Sequence, residues 1–257
     1  MAKYSKSNPR EAFGVGQPVC PALNVASVFQ GFIMAGYECA THRRRDGQRV
    51  DLLAGTGHAK WVAKDYQQLA ASGIGCARDG LRWHLIETRP GHYDWSSFLP
   101  MLRAAADCNI QVVWDLSHYG YPDDVDIWRP EFVERFARFA GAVARLMVDE
   151  GVEAPFISPI NEISFWSWAG GDVAYFNPGA QGRGLELKHQ LVRASIAAIA
   201  AIREHLPAAR FVQCDPLINI MSPSGKPDDI ANAIIYLAST PYATGSTVLV
   251  DGGATIA

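Results

Sequence analysis

Short apolar runs alternate along this chain with longer stretches in which apolar residues return every three or four positions. The runs Phe32 to Glu38, Cys76 to Leu81, Ile110 to Asp115, Pro155 to Pro159 and Arg210 to Cys214 each lead into polar or aromatic residues, the pattern of buried parallel strands. The clearest helix follows Pro130, a residue suited to a first helical position, and sets Phe132, Phe136, Phe139, Val143 and Leu146 on one face. Val192, Ile196, Ile199, Ile202 and Leu206 repeat that spacing until Pro207 stops a second helix. Five strand–helix units in succession predict an α/β protein with a parallel sheet, open or closed as a barrel. Residues 1–30 lack a period and contain Pro9, Pro18 and Pro21, so they read as a loosely ordered arm, with the main domain over residues 31–220.

Length agrees with this picture, since 257 residues suffice for one (β/α)8 barrel of about 250. With 49% hydrophobic and 19% charged residues the chain has a globular composition, and a net charge of -3 gives no reason to expect nucleic acid or an anionic membrane as partner. Basic residues cluster at His42-Arg43-Arg44-Arg45, which reads as a solvated loop. No run approaches a membrane span, and the first thirty residues mix Lys3, Lys6, Arg10 and Glu11 with prolines in place of an apolar leader, so the cytoplasm is the expected location. Cysteines 20, 39, 76, 108 and 214 form no Cys-x-x-Cys pair and read as buried free thiols, with no metal site expected.

Candidate chemistry lies in the segments after the strands. Arg82-Trp83, Trp114 to Tyr121 and Asn161 to Trp168 are rich in groups that bind sugars, and barrels place their sites at the C-terminal ends of strands. All seven tryptophans fall between 61 and 168; flat aromatic faces stack on pyranose C–H surfaces, though they also fill space between sheet and helices. Glycoside cleavage needs a protonated carboxyl at the leaving oxygen and a second carboxylate on the other side of the sugar. Glu162 follows Asn161 at the end of the fourth strand, where an amide neighbour can hold a sugar hydroxyl. Taken singly, Arg78 also reads as a strand-end partner of Asp79 or Asp115, and His118 as a satisfied core histidine.

Three segments together resemble family 1 glycoside hydrolases over residues 30 to 220. Ala77-Arg78-Asp79-Gly80-Leu81-Arg82-Trp83 is similar to that family's second strand, with Arg78 in the place of the Arg beside the nucleophile. His118-Tyr119-Gly120-Tyr121-Pro122 resembles the third-strand motif His-Trp-x-x-Pro, His118 matching the sugar-binding His and Tyr119 replacing Trp. Pro159-Ile160-Asn161-Glu162 resembles the fourth-strand motif that ends in the acid/base. Glu38 stands where the family has a sugar-binding Gln. The resemblance implies a β-glucosidase-type, retaining hydrolysis of β-glycosides without a cofactor. Glu162 would be catalytic, and Arg78, His118, Tyr119, Asn161, Glu38 and Trp83 would bind a small carbohydrate or β-glycoside.

In that family the nucleophilic Glu comes from the seventh strand, whereas after position 220 the acidic residues here are Asp228, Asp229 and Asp251. The expectation is therefore a partial (β/α)8 TIM barrel of five to six strands and an incomplete hydrolase, with a non-catalytic carbohydrate-binding protein as the alternative. Within residues 221–257, Gly225 to Ser239 and Thr244 to Gly253 resemble the last helix and strand of short-chain dehydrogenases. An oxidoreductase is thus a further alternative. Such an enzyme needs a Gly-rich phosphate turn and a Tyr-x-x-x-Lys pair, and the chain has neither. A helix over 227–239, with Ile230, Ile234 and Leu237 inward, and a strand over 246–250 are expected to extend the sheet, whose free edges favour a homo-oligomer.

Overall fold

A computed structural model describes residues 28–31 and 33–216. Five strands, β1 (Met34–Gly36), β2 (Cys76–Gly80), β3 (Gln111–Ser117), β4 (Phe156–Ile160) and β5 (Arg210–Phe211), lie side by side in chain order, each parallel to the next. The helices are α1 (Leu52–Gly55), α2 (His58–Ala71), α3 (Trp83–Ile86), α4 (Leu99–Asp107), α5 (Pro130–Asp149), α6 (Ile163–Trp166) and α7 (Gly184–Arg203). A single π-helical turn, Ser167–Asp172, follows α6 directly. Strand, helix and next parallel strand in strict succession make this an arc of a (β/α)8 barrel, the expected α/β architecture.

Register delivers the site. Gly80 pairs with Asp115, Asp115 with Ser158 and Ser117 with Ile160, so β2, β3 and β4 end close together and hand their following residues to one rim. Alternation along β2 sends neighbouring side chains opposite ways. Arg78 reaches Asp115 on β3, while Asp79 reaches His58 and Tyr66 on α2.

Helix α5 forms as its sequence predicts: Pro130 opens it, and Phe132, Phe136, Phe139 and Val143 are buried, with Leu146 at the margin. Each such side chain contributes about 1.5–3 kcal/mol when fully buried. For α7 the expected face holds only toward its end, where Ile202 and then Leu206 are buried. Leu187, Leu191, Ala194, Ala198 and Ile202 are buried, whereas Val192 and Ile196 are 40% and 62% exposed. Small residues make the contact between α5 and α7: a Cβ placed on Gly141 would lie 3.6 Å from that of Ala201. Val192 and Ile196 therefore point away from the tightest packing.

The fifth strand is shorter than expected, but residues beyond it stay joined to the sheet, the Glu162 amide donating to the Cys214 carbonyl at 2.9 Å. Cys39 and Cys76 are buried free thiols; Cys108 and Cys214 are half-buried. Among the described residues no helix is long and apolar enough to cross a membrane. The arm through residue 27 and the helix and strand expected over 227–239 and 246–250 lie outside the described residues.

Candidate functional site

Asp115, fully buried near the end of β3, is the hub of the site. Arg78 grips it with two hydrogen bonds, Nε to Oδ1 at 3.1 Å and Nη2 to Oδ2 at 2.8 Å, and also donates to Oδ1 of Asn161. Burial alone would weaken the guanidinium's hold on its proton, but the charge of Asp115 outweighs this and keeps Arg78 cationic. His118 Nδ1 lies 2.9 Å from Asp115 Oδ2, and its Nε2 lies 2.8 Å from Asn161 Nδ2. Because Asn161 Oδ1 already accepts from Arg78, its amide nitrogen must face the ring. His118 Nε2 is then the acceptor, and the ring proton sits on Nδ1 toward Asp115. Glu38 Oε1 lies 3.3 Å from the same Nε2 and accepts from the Ala40 amide.

Thus Arg78, His118, Asn161 and Glu38 come from the ends of four different elements and meet. Loop closure at this point depends on Gly120: a Cβ there would fall 1.9 Å from Thr41 Oγ1, so only glycine lets the segments after β1 and β3 touch. Within the site, Tyr119 at φ 64° and Glu162 at φ 45° hold left-handed backbone without being glycine. Such conformations cost about 1–3 kcal/mol each and persist where the surroundings impose them. They bring the two side chains together, and the Tyr119 hydroxyl donates to Glu162 Oε2. Burial, then the hydrogen bond and charge of Glu162, push the Tyr119 phenol far above its ordinary range, so it remains a donor.

Around this cluster runs an aromatic rim. Phe165 lies 5.7 Å from Tyr119 and 5.9 Å from Trp168, and Trp168 meets Tyr175 edge-on at 5.4 Å. Trp168 and Tyr175 expose 46% and 57% of their surface, which leaves ring faces free to stack on a ligand.

Trp83 does not join the site. It is buried at the start of α3, stacks on Phe139 at 5.2 Å and donates to Glu87 at 2.7 Å. Its helix has already turned away from the rim, and the phenylalanine stripe of α5 receives the ring. Trp114 and Trp166 are buried as well, so these tryptophans fill the interior.

Sequence reasoning named Asp115 only as an ion-pair partner and passed over Cys39 and Asn177. Asp115 carried one signal, its position three residues before His118 on the same strand end. Asn177 carried none. Its side chain accepts from the Arg43 amide at 2.6 Å and donates to the Tyr119 carbonyl at 2.8 Å, buckling two distant loops together.

The donor atoms of Cys39, Asp115 and His118 lie within 4.8 Å of one another, the spacing of a metal-ligand set. Burial, then the charge of Asp115, raise the Cys39 thiol well above its usual range. Arg78 already neutralises the carboxylate. That balance suits a protonated thiol within a hydrogen-bond network better than a thiolate ligand.

No family profile and no curated protein sequence matches this chain. Solved structures do match. A β-glucosidase from Thermotoga maritima in complex with deoxynojirimycin aligns with a TM-score of 0.60 at 16% identity, covering 70% of this chain and 42% of that one. The AHE enzyme from Alicyclobacillus herbarius aligns at 0.59 and 19% identity, over 69% of this chain and 41% of its own. The virulence factor SghA, solved with its substrate analogue salicin, aligns at 0.56 and 16% identity, over 62% and 37%. The chain therefore spans about two fifths of the length of these structures. Its fold is a partial (β/α)8 barrel similar to that of family 1 β-glucosidases.

Proposed function

We propose that this chain is glycoside-hydrolase-like and binds a small carbohydrate or β-glycoside at the rim of its sheet. Glu162 serves as the acid/base, while Arg78, His118, Asn161, Tyr119 and Glu38 hold the sugar. The observation that carries this reading is the hydrogen-bonded set Arg78–Asn161–His118, with the Glu38 carboxylate 3.3 Å from His118, assembled beside Glu162 at the strand ends where barrels do chemistry. Donors and acceptors alternate across it, as vicinal hydroxyls require, and the aromatic rim supplies an apolar face.

Cleavage needs a second carboxylate across the sugar. Among the described residues of the cluster, Asp115 is buried and neutralised by Arg78, and Glu38 is the other carboxylate that reaches solvent. Turnover by these 257 residues is expected to be very low. With aryl β-glucosides, the expected outcome is a trace rate that Glu162→Gln abolishes; vigorous turnover that survives this substitution would remove Glu162 from its role. Calorimetric titration with glucose should show binding that His118→Ala weakens about ten-fold, the worth of one good hydrogen bond to a charged or buried group.

A purely sugar-binding role has one observation in its favour. The Tyr119 hydroxyl donates to Glu162 Oε2, so that oxygen is already engaged by the protein rather than free to face a leaving group. Tyr119→Phe separates the two readings: it raises the trace rate if Glu162 is an acid and leaves it at zero if the site only binds.

A further inference from the structure

In sequence His42-Arg43-Arg44-Arg45 reads as a solvated loop, but the fold gives it walls. Arg43 pairs antiparallel with Arg49 across the turn at Asp46-Gly47, and Arg44 pairs with Phe176 in the segment after α6. Backbone bonds fix this ribbon, Arg44 N to Gln48 O and Asn177 N to Arg43 O, each at 2.9 Å. Beneath it lies a cavity of about 420 Å³ lined by Arg43, Arg44, Arg45, Arg49, Asp123 and Phe176, among others. That volume falls within the range of small-molecule pockets, roughly 300–1,000 Å³.

Charge is out of balance here. Four guanidiniums face one lining carboxylate in a protein whose net charge is -3. Like charges set opposite each other on a ribbon repel, and Asp123 answers two of them by accepting from both Arg43 and Arg49. Arg44 turns to Asp46, and Arg45 has no acidic partner among the described residues. The Nε of Arg43 is buried and unpaired. Nearby imidazoles respond to the same field: burial, then Arg49, lowers His84 to about 4, and burial leads the lowering of His42, to which Arg44 and Arg49 add.

Positive charge held this way, over a floor of Phe176 and Tyr121, suits a planar or tetrahedral oxyanion that guanidiniums bind two bonds at a time. The pocket also shares a wall with the sugar cluster. Phe176 lies 5.1 Å from the ring of Tyr119, which donates to Glu162, and Asn177 ties the ribbon to the Tyr119 carbonyl at 2.8 Å.

We propose that this pocket is an oxyanion subsite that takes the carboxylate or phosphate of an acidic sugar derivative. The placing of the ligand's neutral part rests on the sugar-site reading above; the anion pocket does not. The test is calorimetric titration with inorganic phosphate, glucose 6-phosphate, glucuronate and glucose, at low and raised salt, on the chain and on Arg44→Ala/Arg45→Ala. Both arginines are exposed, and circular dichroism verifies that the variant is folded.

Phosphate should bind, and at least one acidic sugar should bind about ten-fold or more tighter than glucose. Raised salt and the double variant should both erase that preference, while glucose affinity stays the same. The better of glucose 6-phosphate and glucuronate then identifies the anion. Equal affinity for acidic and neutral sugars, or a preference that survives in the double variant, overturns the subsite. Should phosphate bind and be lost in the variant while glucose binds nowhere, the subsite stands and the sugar-site reading falls.

Discussion

Two buried aspartates on adjacent strands do opposite work. Asp79, on the helix-facing side of β2, accepts from Tyr66 at 2.7 Å and from the Gly80 amide at 2.8 Å, and pairs with His58 Nε2 at 2.8 Å. The other nitrogen of His58 goes to Asp65 at 2.6 Å, and Tyr37 stacks flat on its ring at 3.7 Å. The polar side-chain atoms of Asp79 and His58 are thus all spent on the protein. Asp115, on the other face, is just as buried, yet its partners Arg78 and His118 pass the network on to Asn161, and so to the rim beside Glu162. Buried aspartates thus build a lock between sheet and helix in one place and, in the proposed reading, a binding platform in the other. What separates them is where the chain of hydrogen bonds leads, from Asp79 to helix α2 and from Asp115 to the rim at the strand ends.

The strongest test of this contrast removes each aspartate's charge. Asp79→Asn strands His58 and Asp115→Asn strands Arg78; either should lower unfolding free energy in urea by about 3–5 kcal/mol, the cost of breaking a buried pair. Glucose binding, measured where both variants remain folded, should survive Asp79→Asn and vanish in Asp115→Asn. Loss of binding in a folded Asp79→Asn protein would break the distinction.

A smaller effect sharpens it among the aromatics. Trp83→Phe leaves Glu87 short of a donor and should cost about 1–3 kcal/mol of stability without touching sugar affinity. Trp168→Ala should shift stability by less than about 0.5 kcal/mol, as exposed sites do, yet weaken sugar binding.

The gentlest probe is pH. Burial disfavours the charged form of His58, but Asp79 and then Asp65 outweigh it, so its folded pKa is raised. The imidazolium's contribution is then fully present below the unfolded value of about 6.5 and is lost as pH rises through the higher folded pKa. Urea midpoints should fall across that window in the wild type and be flatter in His58→Gln.

Much of the scaffold was legible in one dimension. The phenylalanine stripe after Pro130 is unambiguous because its residues are large and regularly spaced, and β3 and β4 each hold a short apolar run, Val112 to Trp114 and Phe156 to Ile157, that leads into polar residues. Glu162 and Asn161 stood out because they follow the fourth strand directly. The inward face of α7 was legible only in part: Ile202 and Leu206 are buried as their spacing predicts, but alanines, which carry little hydrophobic signal, make other contacts, while Val192 and Ile196 are exposed. Trp83 was misplaced because a tryptophan after a strand looks the same whether its ring turns to the rim or to a helix.

By itself, then, the sequence determined which residues lie in strands and helices and which polar groups leave each strand end, since both follow from periodicity and local backbone preference. Tertiary structure alone decided which of those groups meet. Asp115 became a hub and Asn177 a buckle, and three arginines in a row became one wall of a pocket, because parallel register and loop packing join residues more than a hundred positions apart, as with Arg43 and Asn177. No local pattern encodes such a meeting; it is fixed by how the βα units close on one another.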